Sequence, residues 1–186
     1  MCGCSMVKAA ESVRRYCRFF KKQNAKRVLD YGTGTMRNAL YLAQEGFRVY
    51  AADLPEQVEK LGGCPALQHI ERLLAIGELT QSKLNVDLVL STYVFNIIMN
   101  SAERHAYLKN AAANLKPGGF LLMEVRCRKP HERCDTTCRD YFSCAECSKT
   151  LTHEELDTLL TPHGLRRISH YYRSHAVAAI YQMDRM

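Results

Sequence analysis

A short glycine turn between an apolar strand and a helix constrains this chain more than any other feature. The turn reads Asp30-Tyr31-Gly32-Thr33-Gly34. Glycine lets the backbone turn tightly and approach a ligand with no Cβ in the way, and the following helix points its free amides at the same place. Asp53 lies 23 positions after Asp30, at the end of the second predicted strand, where a carboxylate can bind both hydroxyls of a ribose. Together these features predict an adenosine-type ligand.

Strand and helix patterns alternate along the chain. Such alternation predicts a parallel sheet with right-handed crossovers, and the last two strands predict an antiparallel hairpin. Ala66–Ile76 has helical spacing, although the fold needs a strand nearby. Ser101 is the expected N-cap of the predicted helix Ala102–Leu115. The predicted strands are Arg27–Tyr31, Arg48–Ala52, Asp87–Thr92, Phe120–Val125, Arg166–Tyr172 and Ala176–Gln182, and the predicted helices are 9–23, Arg37–Glu45, Pro55–Leu61, Ala102–Leu115 and a segment from Thr152 to Pro162.

Length and composition limit the class of protein. The 186 residues suit one domain with its own core, so we expect a single domain over 1–186 with a cysteine-rich insert at about 127–150. No apolar run approaches the roughly 18 residues of a membrane span, and the N-terminus lacks the apolar segment of a secretion signal. We therefore expect a cytoplasmic protein that does not enter membranes. The net charge of +7 permits RNA or acidic partners without requiring them, and the oligomeric state stays open.

The residue at position 37 separates two kinds of adenosine ligand. The dinucleotide fingerprint requires glycine there, and this chain has Arg37, which disfavours close approach to a pyrophosphate. The form Asp-x-Gly-x-Gly resembles motif I of class I S-adenosylmethionine-dependent methyltransferases. Tyr50–Leu54 resembles motif II of that family, Asp87–Tyr93 resembles its motif IV strand, and Leu115–Leu121 is similar to its L-K-P-G-G turn. The four motifs occur in the order found in the family, although Met36 replaces a third glycine that the family often has.

The resemblance implies a fold and an activity. The fold is an α/β Rossmann-like three-layer sandwich with a mostly parallel seven-stranded sheet and a C-terminal antiparallel hairpin. The activity is methyl transfer from S-adenosylmethionine to a small-molecule or peptide-like acceptor. Arg37–Ala43 resembles a segment of tellurite-resistance and related small-molecule methyltransferases, which favours a small acceptor. An RNA methyltransferase that uses the basic surface and a non-catalytic cofactor- or metal-binding protein are the alternatives.

The resemblance also implies the site residues. Glu78 follows the uncertain third strand and is the candidate beside the adenine. Tyr93 and Asn96 follow the motif IV strand and are the candidate catalytic residues on the acceptor side, although packing or capping explains them equally well. Methyl transfer depends largely on alignment, so a general base is optional. The candidate cofactor-binding residues are Asp30, Tyr31, Gly32, Thr33, Gly34, Asn38, Asp53, Leu54, Glu78, Ser91 and Thr92.

Cysteines cluster late in the chain. Five of the nine fall within residues 127–147, and the last four of these are Cys134, Cys138, Cys144 and Cys147. Thiolates suit Zn²⁺ or an iron–sulfur cluster, and a loop insert without its own core gains stability from a metal. Only Cys144 and Cys147 have the tight spacing of a structural zinc site. Free thiols in a lid over the site, or a thiol-rich pocket for a soft metalloid substrate, are the alternatives to a Zn²⁺ site.

Overall fold

The computed structural model describes residues 8–127, 150–173 and 175–185, which build one seven-stranded sheet. The strands are β1 (Arg27–Tyr31), β2 (Arg48–Asp53), β3 (Arg72–Ala75), β4 (Val86–Thr92), β5 (Leu115–Arg126), β6 (Leu165–Arg173) and β7 (Ala176–Met183). Their order in the sheet is β3-β2-β1-β4-β5-β7-β6. Strands β1 to β5 pair in parallel, and β7 runs antiparallel to both β5 and β6. The sheet and its C-terminal hairpin confirm the predicted fold class.

Helices cover both faces of the sheet and make it the middle of three layers. They are α1 (Glu11–Lys22), α2 (Arg37–Gln44), α3 (Pro55–Leu61), α4 (Ile76–Gln81), α5 (Ser101–Asn114) and α6 (His153–Leu160). Phe20 of α1 and Leu42 of α2 belong to one core cluster, whereas Leu108 of α5 and Leu156 of α6 belong to the other. Helices α1 to α3 therefore pack on one face, and α4 to α6 pack on the opposite face.

Strand β4 shows why the central strands are apolar almost without interruption. Leu88 and Leu90 point into the core cluster under α1 to α3, whereas Val89 points into the cluster under α4 to α6. All three side chains are completely buried. Successive side chains of a strand point to opposite faces, so a strand covered on both faces needs apolar residues at consecutive positions.

The helical spacing of Ala66–Ile76 does not produce an α-helix, which corrects the prediction for that segment. Pro65–His69 forms a short 3₁₀ helix, and Arg72–Ala75 forms β3. Leu74 of β3 pairs with Ala52 of β2 and is completely buried. The open edge of β2 supplies hydrogen bonds and apolar contact that outweigh the weak helical preference of a short segment.

Two boundaries near α5 also differ from the prediction. Asn100, not Ser101, is the N-cap, because its Oδ1 accepts hydrogen bonds from the amides of Ala102 and Glu103 at 2.8 and 3.1 Å. Strand β5 begins at Leu115, before the predicted Phe120, because Leu115 already pairs with Val86 ahead of a shift in register. Neither difference moves the carboxyl ends of the central strands.

The sheet contains a switch in strand order between β1 and β4. Strand β1 continues to β2 on one side, and β4 lies on its other side. The connections that leave the two neighbouring strands go to opposite faces, which opens a cleft at their carboxyl ends. No helix in the described parts of the chain is long and apolar enough to cross a membrane.

Candidate cofactor and acceptor site

A cavity of about 690 Å³ lies at this switch point. The turn after β1 lines the cavity, together with Asp53 at the end of β2 and Tyr93 after β4. Helix α5 contributes Tyr107 and Asn110. The ends of three elements and one helix face therefore meet around one space. Ligands of open α/β sheets bind at this position.

The turn after β1 needs glycine at position 32. Gly32 has φ +84°, and a Cβ built on it would lie 2.3 Å from Cγ2 of Val94. The amides of Gly32 and Thr33 donate to the carbonyl oxygen of Ala52 at 2.8 and 3.1 Å, which ties the turn to β2. A side chain at position 32 would displace Val94, which itself lines the cavity.

Asp30 fixes the inner side of the turn. It is 1% exposed, and its Oδ2 accepts a hydrogen bond from Oγ1 of Thr33 at 2.9 Å. Burial raises the pKa of Asp30 to about 6, while the hydrogen bonds from Thr33 and from the Ala39 amide act in the opposite direction. Asp30 does not line the cavity, so its role here is to hold the turn rather than to touch a ligand.

Asp53 presents an oriented carboxylate at the cavity wall. Its Oδ2 accepts from the amide of Gly34 at 2.7 Å, and its Oδ1 accepts from the amide of Leu54 at 2.8 Å. Gln57 donates to the carbonyl oxygen of Gly34 at 2.7 Å and closes the same corner. Each carboxylate oxygen has more than one acceptor site, so both oxygens of Asp53 can still accept from a ligand.

The far wall is aromatic. The rings of Tyr31 and Tyr107 stack with centroids 4.0 Å apart and planes 14° apart. The hydroxyl of Tyr107 donates to the carbonyl oxygen of Tyr31 at 3.1 Å and is hydrogen-bonded to the hydroxyl of Ser91 at 2.9 Å. Asn110 donates to the hydroxyl of Tyr31 at 3.1 Å. These contacts make the wall rigid, and they explain why Ser91 is completely buried and absent from the cavity surface.

Tyr93 stands at the exit of β4 in an unusual backbone conformation. Its φ is +58°, which is rare for an aromatic residue. Its amide donates to the carbonyl oxygen of Glu124 at 2.7 Å, and its hydroxyl donates to Oε1 of the same residue at 2.9 Å. Burial and the neighbouring Glu124 raise the pKa of Tyr93 to about 12. Tyr93 is therefore a fixed, protonated phenol at neutral pH.

Most of the predicted site residues meet at the cavity. The side chain of Asn38 is held by two hydrogen bonds: its Oδ1 accepts from the Ala10 amide at 2.8 Å, and its Nδ2 donates to Oγ1 of Thr92 at 2.9 Å. The predicted residues that line the cavity are Tyr31, Gly32, Thr33, Gly34, Asn38, Asp53, Leu54, Thr92 and Tyr93.

Four predicted residues lie off the cavity surface. Asp30 and Ser91 hold the turn and the aromatic wall, as described above. Glu78 lies in the first turn of α4, where Oε2 accepts from the Ala75 amide at 2.9 Å and Oε1 pairs with Arg72 at 3.2 Å. Asn96 is 2% exposed, and its Oδ1 has no hydrogen-bond partner within the described residues. The structure therefore brings neither Glu78 nor Asn96 to the lining.

Helix α5 also lines the cavity, although none of the sequence motifs points to it. Tyr107 and Asn110 are three residues apart and share a helix face, as do Glu103 and Ala106, and this spacing is the only signal the sequence carried. Arg37, which stands where the dinucleotide fingerprint has glycine and which begins the segment Arg37–Ala43, also lines the cavity and is the basic residue among the described lining residues. The further lining residues that were not predicted are Thr35, Ile76, Thr80, Val94, Ile97 and Ile98.

The predicted metal site falls outside the described residues. Cys134, Cys138, Cys144 and Cys147 all lie between residues 127 and 150, where the structure describes nothing. Among the residues that are described, no group of three or more His, Cys, Asp or Glu side chains is arranged to hold a metal ion. The zinc site stays a prediction.

A family model and several solved structures match the chain. The model of the methyltransferase domain family matches residues 8–170. No curated protein sequence matches. The 1,6-didemethyltoxoflavin-N1-methyltransferase of Burkholderia thailandensis, solved with 1,6-didemethyltoxoflavin and S-adenosylhomocysteine bound, is 18% identical with TM-score 0.69, and the match covers 94% of this chain and 79% of that one.

Two further solved structures have the same fold. An S-adenosylmethionine-dependent methyltransferase of Methanosarcina mazei is 16% identical with TM-score 0.73, and the match covers 97% of this chain and 100% of that one. An S-adenosylmethionine-dependent methyltransferase of Aquifex aeolicus is 18% identical with TM-score 0.66, and the match covers 89% of this chain and 88% of that one. At such low identity these likenesses show a shared fold.

Proposed function

Because the chain belongs to the methyltransferase domain family, we propose that it transfers a methyl group from S-adenosylmethionine to a small-molecule acceptor. The observation that carries this proposal is the cavity at the β1/β4 switch point, where the glycine turn, the Asp53 carboxylate and the aromatic wall meet. Its volume of about 690 Å³ lies within the roughly 300–1,000 Å³ of small-ligand sites.

The residues present fit the adenosine half of the cofactor. The two amides that hold Asp53 orient its carboxylate toward the cavity, and each oxygen keeps an acceptor site for a ribose hydroxyl. Asp53 pairs with Ala75, the last residue of β3, and α4 begins at the next residue, so Ile76 and Thr80 line the cavity at the end where Asp53 lies. We assign the adenine to this end, with the apolar Ile76 side chain against its ring.

Arg37 suits the methionine half. It is the first residue of α2, and it lines the cavity next to the glycine turn. A guanidinium is matched to a carboxylate, and the methionine half carries one. When bound, S-adenosylmethionine supplies a methyl group on a positively charged sulfur. The chain's own task is then to hold the acceptor's nucleophile in line with that methyl group, which can supply much of the rate enhancement.

The acceptor side of the cavity favours a small molecule with an apolar part. Ile97 and Ile98 follow Tyr93 in the chain and line the cavity, and Ile97 is 63% exposed, so they form an apolar rim on this side of the opening. Tyr93 supplies a polar group inside that rim. The Burkholderia thailandensis enzyme was solved with 1,6-didemethyltoxoflavin and S-adenosylhomocysteine bound, and this supports a small acceptor here as well.

A labelling experiment tests the acceptor class. The protein is incubated with methyl-labelled S-adenosylmethionine and, separately, with the small-molecule, protein and RNA fractions of a cell extract. Label should appear in the small-molecule fraction only. Label in RNA, together with RNA binding that weakens steeply with salt, would support an RNA methyltransferase and contradict the small acceptor.

A further inference from the structure

Glu124 is a buried carboxylate that the proposed function does not yet use. It is 2% exposed and lies in β5 beside Thr92 of β4. Its Oε1 accepts from the hydroxyl of Tyr93 at 2.9 Å, and its Oε2 accepts from the hydroxyl of Ser12 at 2.5 Å. Both carboxylate oxygens of Glu124 therefore lie within hydrogen-bond distance of a hydroxyl group. Burying a carboxylate is costly, and the two hydroxyl donors reduce that cost.

Tyr93 connects this carboxylate to the cavity. Its single hydroxyl proton is donated to Glu124, so its oxygen can only accept a hydrogen bond from a molecule in the cavity. Its backbone amide is bound to the Glu124 carbonyl oxygen, and its φ of +58° is a strained conformation held by these contacts. Strain of this kind is often found at functional sites, and here it directs a phenol oxygen toward the site from one fixed position.

A phenol in this state cannot be the base by itself. The raised pKa of about 12 keeps Tyr93 protonated at neutral pH. It can, however, take a proton from a ligand at the moment it gives its own proton to Glu124. The distance of 2.9 Å between the two oxygens is within the range for such a transfer.

On the basis of the proposed function, we propose that Tyr93 and Glu124 form a proton relay for an acceptor whose nucleophile is a neutral N–H or O–H group. Tyr93 is the catalytic residue, and Glu124 acts through it. An acceptor that is already a thiolate would need no such relay. The pair therefore indicates an acceptor that reacts through a ring or amide nitrogen, or through the hydroxyl of a phenol or an alcohol.

The transfer balances in atoms and charge. The acceptor's nitrogen or oxygen forms a bond to the methyl carbon, and the bond between sulfur and that carbon breaks with its electron pair left on sulfur. The acceptor's proton passes to the hydroxyl oxygen of Tyr93, and the Tyr93 proton passes to Oε1 of Glu124. Glu124 ends neutral and later releases the proton to solvent.

Two substitutions separate proton transfer from positioning. In Glu124→Gln, the amide oxygen still accepts a hydrogen bond from a hydroxyl but cannot take up a proton. Tyr93→Phe removes the relay at its first atom. Transfer of labelled methyl into the small-molecule fraction should fall by about 100-fold or more in both variants. The control, Tyr172→Phe, changes an exposed tyrosine of β6 and should transfer at the wild-type rate.

The other readouts decide the reason for a loss. Calorimetry should give the same affinity for S-adenosylhomocysteine in all four proteins, and the product from the wild type should carry its new methyl on nitrogen or oxygen. A Glu124→Gln variant that keeps wild-type turnover would show that Glu124 only positions Tyr93, and an S-methyl product would likewise overturn the relay. No binding of S-adenosylhomocysteine by the wild type would instead overturn the proposed function and the relay with it.

A titration without any ligand tests the contact itself. Tyrosine labelled with carbon-13 at Cζ reports the ionisation of Tyr93, which Tyr93→Phe identifies by loss of one signal. Around pH 10, where an ordinary tyrosine is about half ionised, Tyr93 should stay protonated in the wild type and be more ionised in Glu124→Gln, because the substitution removes the neighbouring negative charge. An unchanged titration in Glu124→Gln would show that the two groups do not interact.

Discussion

Oδ2 of Asp53 accepts a hydrogen bond from the amide of Gly34 at 2.7 Å. This contact joins the end of β2 to the glycine turn after β1, although the two residues belong to different loops. It fixes the carboxylate at the cavity wall and leaves acceptor sites on both of its oxygens for a ligand. The position expected to bind the ribose is therefore set before any ligand arrives.

Asp53→Ala should weaken the binding of S-adenosylmethionine because it removes two hydrogen bonds between a charged acceptor and the ribose hydroxyls. The expected loss is about 1.5–3 kcal/mol, or roughly 10- to 150-fold in affinity. Isothermal calorimetry measures it directly. Glu56→Ala is the matched control, since it removes an exposed acid three residues further along that does not line the cavity. Equal affinities for the two variants would show that the ribose lies elsewhere.

Arg37→Gln should weaken binding only of ligands that carry the methionine carboxylate. Affinity for S-adenosylmethionine should fall about 10- to 100-fold, because a charge-assisted hydrogen bond is lost. 5′-Methylthioadenosine has the same adenosine but no carboxylate, so its affinity should not change. Asp53→Ala should weaken both ligands. A loss of both ligands in Arg37→Gln would place Arg37 beside the adenosine instead.

Gly32→Ala should destabilise the fold. The φ of +84° costs about 1–2 kcal/mol for a residue with a Cβ, and the contact with Val94 adds an overpacking cost of about 1–3 kcal/mol. Urea denaturation should show the loss, and Val94→Ala should recover part of it in the double variant. Gly63→Ala is the control, since a Cβ there meets no atom within 4 Å and its φ is not positive. Comparable stability of the Gly32 and Gly63 variants would contradict the clash.

The buried Asp30 should make the free energy of unfolding depend on pH. Its folded pKa of about 6 is higher than the ordinary value of 3.8, so the folded state holds a proton that the unfolded state has lost between about pH 4 and pH 6. The contribution of Asp30 to the free energy of unfolding is fully present below pH 4 and decreases by up to about 3 kcal/mol as the pH rises to 6. Urea denaturation at several pH values should therefore show a flatter profile for Asp30→Asn than for wild type. Parallel profiles would contradict the raised pKa.

The sequence was sufficient for the fold and for half of the site. The positions of glycines after a strand and of an acid at the end of the next strand follow from local backbone geometry, so they can be predicted from the sequence. Gly32, Gly34 and Asp53 do meet at the cavity. Positions that depend on how a helix packs on the sheet could not be predicted in this way. Which face of α5 reaches the cavity depends on how the helix packs on the sheet, so Tyr107 and Asn110 gave no distinct signal.

Glu78 and Glu124 illustrate the same limit for carboxylates. Glu78 stands at a plausible distance after β3, yet its side chain caps α4 and pairs with Arg72. Glu124 lies inside an apolar strand pattern, and only the parallel register of β4 and β5 brings it next to Thr92 and the phenol of Tyr93. Local pattern does not distinguish an acid that caps a helix from one that contacts a residue of the cavity, because contacts made only on folding decide the difference.

Binding of S-adenosylmethionine to the wild-type protein, measured by calorimetry beside NAD under the same conditions, tests the central claim most directly. The cavity, Asp53 and Arg37 predict saturable binding of S-adenosylmethionine with one site per chain and no measurable binding of NAD. Binding of NAD without binding of S-adenosylmethionine would contradict the assignment of this site.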